Sequence, residues 1–232
     1  MDNKDKLRIE YQNKNDRIND RLQQFDKFFN EPYSWFYKDN ELRLLPVDAK
    51  DDYRLFEELS FCIFTANTSA EMGLRAVDAV RNVLINGTAA DMTKRLEGIY
   101  RFNNLRPEFI VHTRNHLNNT LKFELKKKIK SFQDKNELRN FFALNKDIKG
   151  LGYKEASHFL RNIGFKGYAI LDKHIINSLH EFGILNTNDK PKNPKEYLGI
   201  EQKFIDFSKQ VGIDMDELDL FLWSRKNGRI LK

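Results

Sequence analysis

The sequence has 232 residues, 40% hydrophobic and 12% aromatic with 19 Phe, so it can bury a stable interior and is too apolar to remain unfolded. Forty Lys and Arg against 34 Asp and Glu leave a formal charge of +6, which favours a polyanionic partner without naming one. A single cysteine, Cys62, excludes an internal disulfide and any four-cysteine zinc or iron–sulfur site.

In chain order, residues 7–26 are dominated by Asn, Asp, Lys, Arg and Gln, which predicts a weak, mostly exposed helix or a partly disordered segment. Asp52 suits the cap of a helix whose buried stripe is Leu55, Phe56, Leu59, Cys62 and Ile63, so Cys62 reads as core. A second helix is predicted over 69–84, stopping before Asn86-Gly87, and a third over 131–144 with Leu138, Phe141 and Phe142 on one face. Helical spacing returns at Ala156, Phe159, Leu160 and Ile163, at Ile175, Ile176 and Leu179, and at Met215, Leu218, Phe221 and Leu222. Residues 185–199, rich in Asn with Pro191 and Pro194, read as a long loop, and convincing strand alternation is absent. The expected fold class is all-α, without internal repeats. No stretch reaches the roughly 18 apolar residues of a membrane helix, and the charged start carries no apolar signal core, so an intracellular protein is expected.

The segment from Ile148 through Gly150-Leu151-Gly152 to Tyr153-Lys154-Glu155-Ala156 follows one predicted helix and opens another. Gly150 and Gly152 permit a tight turn whose backbone can approach another surface, and the free N–H groups of the next helix suit an anion such as a DNA phosphate. On its own, such a turn simply joins two helices. Eighteen positions after Lys154 stands Asp172, just before the next apolar-periodic helix, where it can serve as an N-cap. The two residues can face each other across a cleft. A primary amine can attack a sugar anomeric carbon and afterwards form an imine, and a carboxylate can stabilise the positive charge that develops there.

With hairpin, Lys154 and Asp172 in this order and spacing, the chain resembles the helix-hairpin-helix glycosylase superfamily. Residues 59–70, the segment from Gly150 to Asn162 and the ending from Leu220-Phe221-Leu222-Trp223 to Lys232 resemble one branch, the archaeal-type 8-oxoguanine DNA glycosylases. A longer polar N-terminus and the Asn- and Lys-rich stretch 116–130 depart from that pattern.

The resemblance implies a helix-hairpin-helix DNA glycosylase fold, with two helical subdomains flanking an active-site cleft. One is expected over 70–172, carrying the hairpin, and the other from about 20–69 plus 173–232. It implies base-excision repair in a prokaryote, near the nucleoid: 8-oxoguanine is flipped out of double-stranded DNA and removed through a Lys154 Schiff base, with Asp172 assisting, and the strand is then cut by β-elimination. Trp223 becomes the platform for the flipped base, and Lys232 the residue whose terminal carboxylate reads it. 8-Oxoguanine carries a hydrogen on N7 where guanine has a lone pair, so an acceptor-only carboxylate attracts one and repels the other. Phe102 is a candidate wedge for the gap left in the duplex, although a core Phe reads equally well. Gly150 and Gly152 would meet the backbone. The superfamily's iron–sulfur branch uses four cysteines that this chain lacks, and its histidines show no metal-ligand spacing, so neither cofactor nor metal is expected, and the chain is expected to act as a monomer. Two alternatives stay open: a non-enzymatic helix-hairpin-helix DNA-binding module, and a glycosylase for another damaged base.

Overall fold

A computed structural model describes residues 2–232. Helices α1 (Asn3–Gln12) and α2 (Asn15–Asn30) precede a hairpin of β1 (Tyr33–Lys38) and β2 (Glu41–Pro46). There follow α3 (Asp51–Thr65), α4 (Ala70–Val80) with a 3-10 turn (Arg81–Val83), α5 (Ala89–Leu96), α6 (Leu105–Leu121), α7 (Leu125–Lys130), α8 (Lys135–Ala143), α9 (Tyr153–Asn162), α10 (Lys173–Glu181), α11 (Pro194–Val211) and α12 (Met215–Asn227). The chain is thus mostly helical, and no described helix is long and apolar enough to cross a membrane.

Contacts divide the chain into two compact units, Lys27–Phe159 and Met1–Asp26 with Leu160–Lys232. The family resemblance implies a different division, 70–172 against about 20–69 plus 173–232. The difference has a physical origin at each end. Helix α3 packs on α4, α6 and α7 and so belongs with the hairpin, while the segment after Phe159 is bonded to α11 and α12. Helix α3 is also buried nearly all round: besides the predicted stripe, Phe61 and Phe64 are fully buried, and so are the polar side chains of Arg54, Glu58 and Ser60, as befits a helix at the centre of its unit.

Four local expectations are corrected. Residues 7–26 are helical, as one of the two readings has it, but docked: Leu7, Ile18 and Phe25 are buried, and the Arg8 guanidinium donates to the carbonyls of Gln210 and Val211 at 3.0 Å each. Docking stabilises what intrinsic pattern does not. A two-stranded antiparallel sheet exists, with Lys38 opposite Glu41 and a two-residue turn in which Asp39 and Asn40 both take positive φ, 53° and 61°. Such a turn matches the twist of its strands, and Asp and Asn tolerate that conformation best after Gly. Asp52 does not cap α3, since its Oδ1 accepts the Lys126 N–H at 2.7 Å at the start of α7. Finally, α11 begins inside the expected loop, with Asn193 as N-cap, Pro194 in the first turn and the Glu196 N–H donating to Asn193 Oδ1 at 2.9 Å.

Candidate active site

Helix α8, the glycine turn and α9 form the helix-hairpin-helix, all but the end of α9 lying within the Lys27–Phe159 unit. The rings of Phe142 and Phe159 meet edge-on at 4.8 Å. Fully buried Arg139 donates to Asn136 Oδ1 at 2.9 Å and to Ser157 Oγ at 3.3 Å, and the Tyr153 hydroxyl donates to Asn140 Oδ1. These contacts set the angle between the helices. The turn is anchored by the Lys149 N–H, which donates to Thr113 Oγ1 at 2.9 Å, and by the buried side chains of Ile148 and Leu151.

The two glycines serve different ends. Gly150 has φ +81°, and a Cβ there would lie 2.9 Å from the Phe109 ring and 3.1 Å from Arg106 Nη1. Gly152 is exposed, and a Cβ there would meet only Glu155 Oε2, at 3.4 Å. Gly150→Ala is therefore expected to cost about 2–4 kcal/mol, combining left-handed strain with close contact. That lowers Tm by about 5–15 °C for a chain of this size. Gly152→Ala should leave Tm within about 2 °C and weaken binding to duplex DNA instead, by blocking close backbone approach. Thermal denaturation beside a duplex titration checks both, and equal Tm losses would contradict the division of labour.

Lys154 lies in the first turn of α9, with its side chain 26% exposed and so open to a substrate. Its Nζ pairs with Glu155 Oε1 at 3.1 Å, while Glu155 Oε2 accepts the Gly152 N–H at 3.2 Å. One carboxylate thus closes the helix start and restrains the lysine. Sequence reasoning passes over Glu155, although an acidic residue three positions after Gly152 is a capping signal.

Asp172 caps α10, in the other unit: Oδ1 accepts the N–H groups of His174 and Ile175 at 2.7 and 2.9 Å. Its Oδ2 has no hydrogen-bond donor among the described residues, and the side chain is half-buried. Cap and available acceptor coexist in one group.

Two further carboxylates in that unit are deeply buried. Desolvation pushes Asp219 up to about 7, against the pull of Arg161 at 3.8 Å, and Asp216 up to about 6, against its bond from the Gly167 N–H. Above an unfolded value near 3.8, the unfolded chain releases these protons while the folded chain keeps them. Their contribution is complete below about pH 4 and is lost as pH rises through about 6 and 7. Tm should accordingly fall across this window, and Asp219→Asn, which keeps an acceptor for the Ile170 N–H, should flatten the fall. Parallel slopes in the native and variant chains would refute this assignment.

Trp223, on α12, is half-buried, whereas Leu220, Phe221 and Leu222 before it are buried. Lys232 is buried, 5% exposed, as are Ile230 and Leu231, and the Ile230 carbonyl accepts from Arg21 Nη2 at 3.2 Å. Phe102 is half-buried, its ring 6.2 Å from that of Tyr100 and within 6 Å of the Arg101 and Arg106 guanidinium groups. Its neighbours Ile99 and Leu105 stand out further, 42% and 45% exposed, a feature that apolar periodicity does not flag. In the run 126–130, Lys126 pairs with Asp51 at 2.7 Å and Lys128 lies over Phe132, so part of this charge is already engaged. Among the described residues no group of three or more His, Cys, Asp or Glu could hold a metal ion.

A glycine hairpin between two packed helices, a lysine opening the second and a helix-capping aspartate beyond define the helix-hairpin-helix class. The sequence profile described as 8-oxoguanine DNA glycosylase matches residues 40–213, and the chain belongs to this family. It is 41% identical to the 8-oxoguanine DNA glycosylase/AP lyase of Korarchaeum cryptofilum, covering 79% of this chain and 85% of that protein. It is similar to the Methanocaldococcus jannaschii 8-oxoguanine glycosylase/lyase crystallised with a 15mer DNA containing 8-oxoguanine, with a TM-score of 0.80, 31% identity, and coverage of 97% and 99%. The 8-oxoguanine DNA glycosylase of Thermotoga maritima, a second solved structure, gives a TM-score of 0.80 at 29% identity, with coverage of 99% and 98%.

Proposed function

We propose that this chain is a bifunctional base-excision-repair enzyme that removes 8-oxoguanine from double-stranded DNA and then cleaves the strand. The observation that carries the reading is the pair of helix starts: Lys154 opens the helix behind the hairpin, and Asp172 caps another while keeping one oxygen uncommitted. Gly150 and Gly152 let the backbone of the turn come close to a phosphate, because neither carries a side chain there. Lys154 Nζ bonds to the anomeric carbon as the base departs with the glycosidic electrons, and Asp172 stabilises the charge that develops on the sugar and receives the amine proton. Ring opening leaves an imine, and loss of a C2′ proton then expels the 3′ phosphate.

The flipped base stacks on Trp223, supported by that ring's partial exposure beside a buried apolar run. The Lys232 carboxylate accepts the N7 hydrogen that guanine lacks, supported by the burial of residues 230–232. Phe102 fills the vacated place in the duplex, with Ile99 and Leu105 beside it. The enzyme acts as a monomer, one copy per lesion, inside the cell at the nucleoid.

Borohydride trapping on duplexes with one 8-oxoguanine opposite cytosine tests the reading. The native chain should give a covalent adduct, and a form extended by Gly-Ser after Lys232, in which that carboxylate becomes an amide, should lose about tenfold in discrimination against guanine. Tight duplex binding without adduct or excision would favour a non-enzymatic module or another lesion.

A further inference from the structure

Residues 167–171 lead into Asp172 outside any helix or strand, and Tyr168, Ala169, Ile170 and Leu171 are each at most 7% exposed. Buried backbone N–H groups need acceptors, and here side chains supply them. The Gly167 N–H donates to both Asp216 carboxylate oxygens at 3.0 and 3.1 Å, the Ala169 N–H to Glu201 Oε1 at 3.0 Å and the Ile170 N–H to Asp219 Oδ2 at 2.8 Å. The Leu171 N–H donates to the Tyr197 hydroxyl at 3.2 Å, and that hydroxyl donates to the Ala169 carbonyl at 2.6 Å. Tyr197 and Glu201 lie one turn apart on α11, and Asp216 and Asp219 one turn apart on α12, so two helices of the same unit grip one short segment.

A neutral acceptor would satisfy an amide as well as a carboxylate, and a buried carboxylate is costly to desolvate. Three acidic side chains spent on five residues therefore exceed what amide satisfaction requires. The excess falls immediately before the residue whose position matters most, since a 1 Å misplacement of a reacting group can cost about 100-fold in rate.

We propose that Tyr197, Glu201, Asp216 and Asp219 are positioning residues that hold 167–171 in register and so present Asp172 Oδ2 to the reacting sugar. The proposal rests on the reading of Asp172 as catalytic. Tyr197→Phe is the sharpest probe, because it keeps the ring and removes only the hydroxyl that bridges Leu171 and Ala169.

Single-turnover excision of 8-oxoguanine, duplex Kd and Tm are measured for Tyr197→Phe in the native and Asp172→Asn backgrounds. Tyr197→Phe should lower the excision rate about tenfold with Kd within about twofold, and should add nothing once Asp172 is Asn. Glu201→Gln, which retains an acceptor for Ala169, should keep most of the rate that Glu201→Ala loses, and this pair decides if Tyr197→Phe unfolds. A native rate for Tyr197→Phe, or the same loss in both backgrounds, overturns the positioning role and leaves the reading of Asp172 intact. A native rate for Asp172→Asn overturns that reading and the positioning role with it.

Discussion

Lys154→Gln is expected to abolish the borohydride-trapped adduct and strand cleavage, and to lower base excision by about 1,000-fold or more, roughly 4 kcal/mol in the transition state. Glutamine keeps the length and helix propensity of lysine but has no amine to form an imine. The fold should be nearly unaffected, because the partly exposed pair with Glu155 contributes at most about 1 kcal/mol. Duplex affinity should fall little, since at most one cation is removed from the phosphate contacts. Trapping, single-turnover excision and a salt titration separate these effects. A Lys154→Gln chain that still traps would move the nucleophile elsewhere.

The second large effect is expected at Asp172, where cap and chemistry can be pulled apart. Asn caps a helix about as well as Asp, so Asp172→Asn should keep Tm near native while excision falls by about 100- to 10,000-fold. Asp172→Ala should show the same loss of rate and, in addition, about 1 kcal/mol of lost capping, or about 2–4 °C in Tm. The bonds to His174 and Ile175 use Oδ1 alone, which is why one oxygen can be sacrificed independently of the other. If Asp172→Asn excises at the native rate while Asp172→Ala melts early, Asp172 is a cap and nothing more.

Much of this architecture can be read from near neighbours in the chain. The stripe through Leu55, Leu59 and Cys62, the turn at Gly150 and the cap at Asp172 all rest on spacings of three or four residues, and each has its counterpart in the structure, whereas the helix expected to run to a stop at Asn86-Gly87 ends at Val80 and passes into a 3-10 turn. Two misses were also local. The Asp39-Asn40 turn carries no glycine, so the hairpin gives only a faint signal, and Asn193-Pro194 with Glu196 is a helix start concealed by the polar loop before it.

By itself the sequence determined the helical class, the family and the order in which hairpin, Lys154 and Asp172 occur, because periodicity, capping and turn chemistry depend on residues close together in the chain. Tertiary structure decided that the polar N-terminal helices dock through Leu7 and Arg8 onto the unit's remainder, that Asp52 serves α7, that Glu155 engages Lys154, and that Tyr197, Glu201, Asp216 and Asp219 converge on 167–171. The physical reason is burial. A buried amide, carboxylate or guanidinium must find its partner wherever packing brings one, and for the segment before Asp172 those partners lie 26 to 49 positions further along, on helices whose faces meet only once the chain has folded.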